Sequence, residues 1–146
     1  MVEKTVLDKY STVKRYNFNP DELGDTYDLK YSLRSKFGLY FEFRKLEAYV
    51  NFLNYAKVKL VGKKILDIGC HRGFHLRFFS ELRLSPDDLY GVDIVPHFVN
   101  DAKKVNSKIN FQIADAEKLP FKDGFFDLIM VNYVLCESTS QEYNKK

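Results

Sequence analysis

The stretch from Lys64 to His75, KILDIGCHRGFH, constrains the fold of this chain more than any other part of its sequence. It starts with an apolar run rich in β-branched residues, which is typical of a strand buried on both faces, and we predict that this strand ends on Asp67. Gly69 and Gly73 bracket the following turn, where a backbone without a Cβ can approach a ligand closely. A helix that starts near Gly73 would direct its free N–H groups at the same place. This combination predicts a nucleotide pocket.

Composition places the chain among ordinary globular domains and excludes several classes of protein. Of its 146 residues, 45% are hydrophobic and 29% are charged. The net charge of +3 is too small to predict binding to nucleic acid. No apolar run approaches the ~20 residues of a membrane span, and the polar start of the sequence lacks a signal-peptide core. Cys70 and Cys136 lack metal-ligand spacing, so we expect free thiols rather than a disulfide, and a cytoplasmic location.

The pattern of apolar residues predicts alternating helices and strands. The predicted elements are helices at 42–56, 74–84 and 96–107, and further strands at 89–94, 109–114 and 126–135. This alternation predicts an α/β fold with a parallel sheet and helices on both faces. We predict an N-terminal arm and helix at 1–41, which would form a cap or the substrate side, and a sheet domain at 42–146. In helix 42–56, apolar residues from Phe43 to Leu53 at helical spacing form the predicted buried face.

A segment before this helix interleaves aromatic and basic residues and leaves two hypotheses open. Its members are Tyr31, Arg34, Lys36, Phe37, Tyr40 and Phe41. The hypothesis we favour is an amphipathic helix that packs its aromatic rings on the domain. The other is a stacking platform with which an accessory protein would bind RNA.

Three consecutive predicted strands lead into aspartates, namely Asp67, Asp93 and Asp115. Each aspartate alone is typical of a turn or a helix cap. The carboxyl ends of parallel strands share one edge, however, so all three would surround one crevice beside the glycine turn. Asp93 also follows Gly69 at about the ~20-residue spacing of an acid that binds ribose hydroxyls. The turn lacks the glycine pattern G-x-G-x-x-G of dinucleotide-binding proteins, and no G-K-[ST] of a P-loop follows it.

Four motifs in this order resemble those of class I S-adenosylmethionine-dependent methyltransferases. Ile65 to Gly73 resembles the family motif D/E-x-G-x-G-x-G, and Gly91 to Ile94 resembles the second-strand motif. Ala114 to Phe121 is similar to the adenine-binding segment, and Phe126 to Tyr133 is similar to the fourth strand. The resemblance covers about residues 45–137 and is strongest to the branch that methylates small molecules.

The resemblance implies a Rossmann-like sheet of order 3-2-1-4, S-adenosyl-L-methionine as cofactor, S-adenosyl-L-homocysteine as product and a small-molecule acceptor. It implies that Asp67 meets the ligand's ammonium group, that Asp93 binds the ribose, and that Asn132 offers its backbone carbonyl near the ammonium. The implied cofactor-binding residues are Asp67, Gly69, Cys70, His71, Gly73, Asp93, Ile94, Asp115, Ala116 and Asn132. No residue is assigned as the catalytic base.

The sequence departs from the family pattern at His71, which replaces the middle glycine of the first motif. A side chain there adds a Cβ close to the ligand, so we expect altered rather than abolished binding. His71 or His75 could act as a proton donor or acceptor, since histidine titrates near neutral pH. The alternative is a partly exposed histidine in a turn.

The second departure is length, because the family sheet has seven strands and this sequence supplies four. The fourth strand is nevertheless apolar on both faces, as in a central strand. Three explanations stay open: a truncated chain, a second chain paired along this edge, or cover by the N-terminal helices. We predict self-association through the fourth strand. A non-catalytic S-adenosylmethionine-binding remnant or assembly subunit is the alternative to an enzyme.

Overall fold

The computed structural model describes residues 35–132 and 134 of the chain. These residues belong to two compact units divided between Lys59 and Leu60. Residues 1–34 of the predicted arm and helix at 1–41, the second cysteine Cys136 and Tyr133 lie outside the described residues.

Helix α1, Lys36–Tyr55, is the regular element described in the first unit. Ser35 is the N-cap residue of this helix. Its hydroxyl accepts a hydrogen bond from the Gly38 N–H at 2.9 Å, which satisfies a free donor of the first turn. The helix continues without interruption past residues 41 and 42, where the sequence predicted a boundary. Phe43 was predicted to lie on the buried face, but 61% of it is exposed, whereas Leu53 is buried. Within the described part of the chain, no helix is both long and apolar enough to cross a membrane.

The second unit is a four-stranded parallel sheet, which confirms the predicted order 3-2-1-4. Its strands are β1 (Ile65–Ile68), β2 (Leu89–Asp93), β3 (Asn110–Ile113) and β4 (Leu128–Val131), and its helices are α2 (Phe74–Glu81) and α3 (Pro96–Val105). All four residues of β1 are buried, as expected of the strand with a neighbour on each side. β1 therefore forms the centre of the unit.

The two crossover helices pack on one face of this sheet. A Cβ added to Gly91 of β2 would meet the side chain of Leu76 in α2, and one added to Gly73 would meet Ala102 in α3. The ring of Phe111 in β3 borders both glycines on this face. Both crossovers step in the same direction across the sheet, and right-handed connections of that kind put their helices on the same side.

A long loop covers the other face of the sheet. The core there consists of Leu66, Ile68 and Val92. The partly buried residues that pack against it are Tyr90, Ala114, Leu119, Phe121, Phe126 and Val134. On the same side, β4 stays open to solvent, because Ile129 and Val131 are 52% and 42% exposed.

The fourth strand is much shorter than the predicted 126–135. Phe126 belongs to the covering loop, since its ring packs edge-on against Tyr90 with centroids 5.2 Å apart. The Asp127 carboxylate accepts a hydrogen bond from the Lys64 N–H at 2.9 Å, which turns the chain into β4. At the other end, Val134 is already helical. The pattern of apolar residues predicts a longer strand because it does not reflect these contacts with residues distant in the sequence.

Candidate functional site

The glycine turn lies at the carboxyl edge of the sheet, between β1 and α2. Gly69 and Gly73 have φ angles of +74° and +72°, which residues with a Cβ rarely adopt. The N–H groups of Gly69 and Cys70 both donate to the carbonyl of Val92, at 2.8 and 3.0 Å. The turn is therefore attached to β2 as well as to β1, and it sits beside the end of both strands.

His71, in the middle of the turn, takes a left-handed backbone conformation of the kind that favours glycine. Its φ is +50°, and its N–H donates to Asp93 Oδ2 at 2.9 Å. A left-handed conformation costs a residue with a Cβ about 1–2 kcal/mol. The His71 ring packs against Phe98 of α3 with centroids 3.6 Å apart, and this contact offsets part of that cost.

Asp93, at the end of β2, already holds two backbone groups. Oδ1 accepts from the Val95 N–H at 2.9 Å, and Oδ2 accepts from the His71 N–H. Burial raises the pKa of this carboxyl, and the charge of nearby Asp67 also raises it. The hydrogen bonds from backbone N–H groups lower the pKa and offset part of this effect. A carboxylate offers about four lone-pair positions, so each oxygen can still accept another donor.

Asp67 is the buried charge at the centre of the site. It lies inside β1, opposite Gly91 and Met130, and has no exposed surface. Oδ1 accepts from the Asn132 side-chain amide at 3.5 Å, and the Nδ1 atom of His75 lies 3.7 Å from Oδ2. Oδ2 accepts no hydrogen bond within the described part of the chain. A buried oxygen of this kind favours a cationic or donating group beside it.

Cys70 is buried next to the two aspartates and keeps its proton. Burial raises the pKa of its thiol, and the charges of Asp93 and Asp67 raise it further. Because the thiolate is the reactive form of cysteine, this environment argues against a nucleophile.

The residues after β3 form a turn one strand further along the same edge. Asp115 Oδ1 accepts from the Glu117 N–H at 2.9 Å, and the Asp115 carbonyl accepts from the Lys118 N–H at 3.0 Å. Ala116 is exposed at the tip of this turn, and Ile94 is half-buried beyond Asp93. Both Asp93 and Asp115 thus cap turns at this edge, as aspartates after strands commonly do.

Three contacts of the site were not predicted. The side-chain amide of Asn132 donates to Asp67. The Phe98 ring in α3 packs against the His71 ring. In the sequence, this contact was indicated only by an aromatic residue that follows soon after the strand-end aspartate. His75 is 13% exposed and faces Asp67 from the first turn of α2, so it lies in the helix rather than in the turn.

Comparison with known proteins identifies the family to which the sequence of this chain is similar. Residues 66–144 match the family model of the methyltransferase domain. Aklanonic acid methyltransferase DauC of Streptomyces sp. (strain C5) is 34% identical over 79 residues, 51% of this chain and 36% of the relative. Malonyl-[acyl-carrier protein] O-methyltransferase of Legionella pneumophila is 34% identical over 88 residues, 57% of this chain and 30% of the relative. The match thus spans about a third of each curated relative.

Two solved structures share the fold. The plantazolicin methyltransferase BpumL, solved with a pentazolic desmethylPZN analog and SAH, has a TM-score of 0.57 and 23% identity over 88% of this chain and 48% of that one. The PH0226 protein of Pyrococcus horikoshii OT3 has a TM-score of 0.56 and 22% identity over 74% of this chain and 49% of that one.

Proposed function

Since this chain belongs to the methyltransferase domain family, we propose that it binds S-adenosylmethionine at the carboxyl edge of its sheet and methylates a small molecule. The observation that carries the proposal is the buried carboxylate of Asp67 beneath the glycine turn, with one oxygen that accepts no hydrogen bond in the described part of the chain. The ammonium group of the ligand would compensate this charge. Asp93, on the neighbouring strand, would accept the ribose hydroxyls with the lone pairs that the backbone leaves available.

The other predicted site residues lie along the carboxyl edge of the sheet, where they would contact the ligand. They are Gly69, Cys70, His71 and Gly73 in the turn, Ile94 after β2, Asp115 and Ala116 after β3, and Asn132 after β4. The cofactor supplies a methyl group on a sulfonium, and the protein's contribution is to align an acceptor atom with that carbon. The names of the two curated relatives, one an aklanonic acid methyltransferase and one an O-methyltransferase of malonyl-[acyl-carrier protein], support an acceptor that carries an acid group.

Calorimetric titration with S-adenosylhomocysteine and S-adenosylmethionine tests the proposal. We expect a dissociation constant between about 1 µM and 1 mM, the range typical of enzymes and their substrates. Absence of binding at millimolar ligand would contradict the proposed function. Transfer of a labelled methyl group to members of a panel of small carboxylic and hydroxy acids would then identify the acceptor. Binding without transfer to any acceptor would favour a non-catalytic binding domain instead.

We also propose that two copies of the chain associate along β4. Among the described strands, β4 has β1 as its neighbour on one side, and its other side is an edge. Ile129 and Val131 add exposed apolar surface to this edge. An edge that combines unpaired backbone groups with apolar side chains readily pairs with another strand.

Substituting Ile129 by lysine is expected to shift the protein from dimer to monomer, because charged side chains on edge strands oppose strand pairing. Sedimentation velocity at micromolar concentrations measures this change. The matched control is Val61→Lys, which introduces the same charge at an apolar residue that is 85% exposed in the loop before β1. A monomeric, fully soluble wild-type protein that unfolds cooperatively would contradict the association.

A further inference from the structure

A histidine in the first turn of α2 faces the buried aspartate of the site. His75 Nδ1 lies 3.7 Å from Asp67 Oδ2, the oxygen that accepts no hydrogen bond within the described part of the chain. The two side chains are 13% and 0% exposed, so water screens their interaction poorly. Asn132 holds the other oxygen from the end of β4. One carboxylate is therefore shared between an amide and an imidazole.

Two aspartates and one helix end in the described part of the chain act on the charge of His75. Asp67 of β1 favours the imidazolium at short range, and Asp93 of β2, whose carboxyl interacts electrostatically with Asp67, adds negative charge to the site. The Cys70 thiol beside them stays neutral because burial raises its pKa. The N-terminal end of α2, on which His75 lies, opposes the imidazolium through the helix dipole. Arg77, further along α2, is directed to the Arg72 carbonyl and the Phe74 ring.

We infer, on the basis of the proposed function, that His75 is a positioning residue whose proton is exchanged for the ammonium group of the ligand. In the free protein the imidazolium compensates the Asp67 carboxylate and holds its orientation. When the ammonium binds Asp67, two cations would face one carboxylate, so the proton leaves a ring nitrogen of His75 for solvent. The neutral imidazole then remains beside the site. No bond other than the N–H bond is broken.

This exchange makes affinity depend on pH in a defined direction. Below the pKa of His75 in the free protein, each ligand must displace a proton, so the association constant rises with pH by at most about tenfold per unit. The useful window is about pH 5.5 to 7.0, because an α-amino group keeps its proton below about pH 7.7, so the ligand's own ammonium does not titrate there.

Titration calorimetry in two buffers of different ionisation enthalpy counts the released protons directly. For wild-type protein with S-adenosylhomocysteine near pH 6, we expect about half a proton or more per ligand. His75→Gln keeps a donor toward Asp67 but does not titrate, so it should bind with little proton release. The matched control is His97→Gln, because His97 also pairs with an aspartate, Asp101 at 3.2 Å, but lies on α3 and is 37% exposed. This control should release as many protons as wild type.

A second ligand keeps the test independent of any variant. 5′-Methylthioadenosine retains the ribose and adenine but lacks the ammonium, so its binding should release few protons. Protonation of Asp93, whose pKa burial also raises, would affect both ligands alike. Equal proton release with both ligands, or unchanged release in His75→Gln, would overturn the inference while leaving the proposed function intact. Failure of wild-type protein to bind S-adenosylhomocysteine would instead overturn the proposed function.

Discussion

Replacing Asp93 with asparagine is expected to weaken binding of S-adenosylhomocysteine by about one hundredfold or more. Each charge-assisted hydrogen bond from a ribose hydroxyl is worth about 1.5–3 kcal/mol, and two such bonds correspond to at least that factor. The amide also presents a donor where the carboxylate accepts from His71 and Val95. One of these backbone N–H groups would lose its acceptor, so the middle of the glycine turn would shift as well.

The matched control for this substitution is Asp123→Asn, which makes the same chemical change at an exposed residue of the loop before β4. Titration calorimetry should give wild-type affinity for the control. Thermal unfolding of both variants checks that each is folded at the temperature of the titration, because an orphaned N–H group costs about 1–3 kcal/mol of stability. An Asp93→Asn protein that binds within threefold of wild type would remove Asp93 from the proposed ribose site.

Local sequence was sufficient to predict the centre of the fold but not the limits of its outer elements. The run from Ile65 to Ile68 is short, apolar and β-branched, and a strand with a neighbour on each side is the structure that buries all of it. The end of β4 depends instead on contacts between distant residues. Asp127 binds the Lys64 N–H from 63 positions away, and no local pattern contains that hydrogen bond.

In the candidate site, too, some features follow from local sequence and others from contacts between distant residues. Asp67 and Asp93 were predictable because the carboxyl ends of parallel strands meet at one edge, whatever the details of packing. The link from the His71 N–H to Asp93 and the approach of His75 to Asp67 depend on the turn geometry and on the rotation of α2 about its axis. Motifs specify which residues reach the edge, whereas their hydrogen-bond partners follow from tertiary packing.

Three glycine-to-alanine substitutions are expected to show why the first motif has glycine at position 73. The two possible reasons are its left-handed backbone conformation and its close packing against Phe111. Gly124→Ala imposes a left-handed φ of +72° in open space and should destabilise the domain by about 1 kcal/mol. Gly91→Ala lies in a strand, where the new Cβ would come within 3 Å of Phe111, Leu76 and Cys70, and should cost about 1–3 kcal/mol through overpacking. Gly73→Ala combines a φ of +72° with overlap on Phe111, and should cost about 2–5 kcal/mol.

Urea unfolding of the three variants measures these differences, and the comparison cancels the effect that alanine has on the unfolded chain. Because the ring of Phe111 lies against both Gly73 and Gly91, the overlap predicts coupling with that ring. Phe111→Leu should therefore destabilise the Gly73→Ala protein less than it destabilises wild type, whereas its effect should be unchanged in the Gly124→Ala protein. If Gly73→Ala costs no more than Gly124→Ala, close packing on β3 is not what requires glycine at the start of α2. The requirement would then lie in backbone conformation alone.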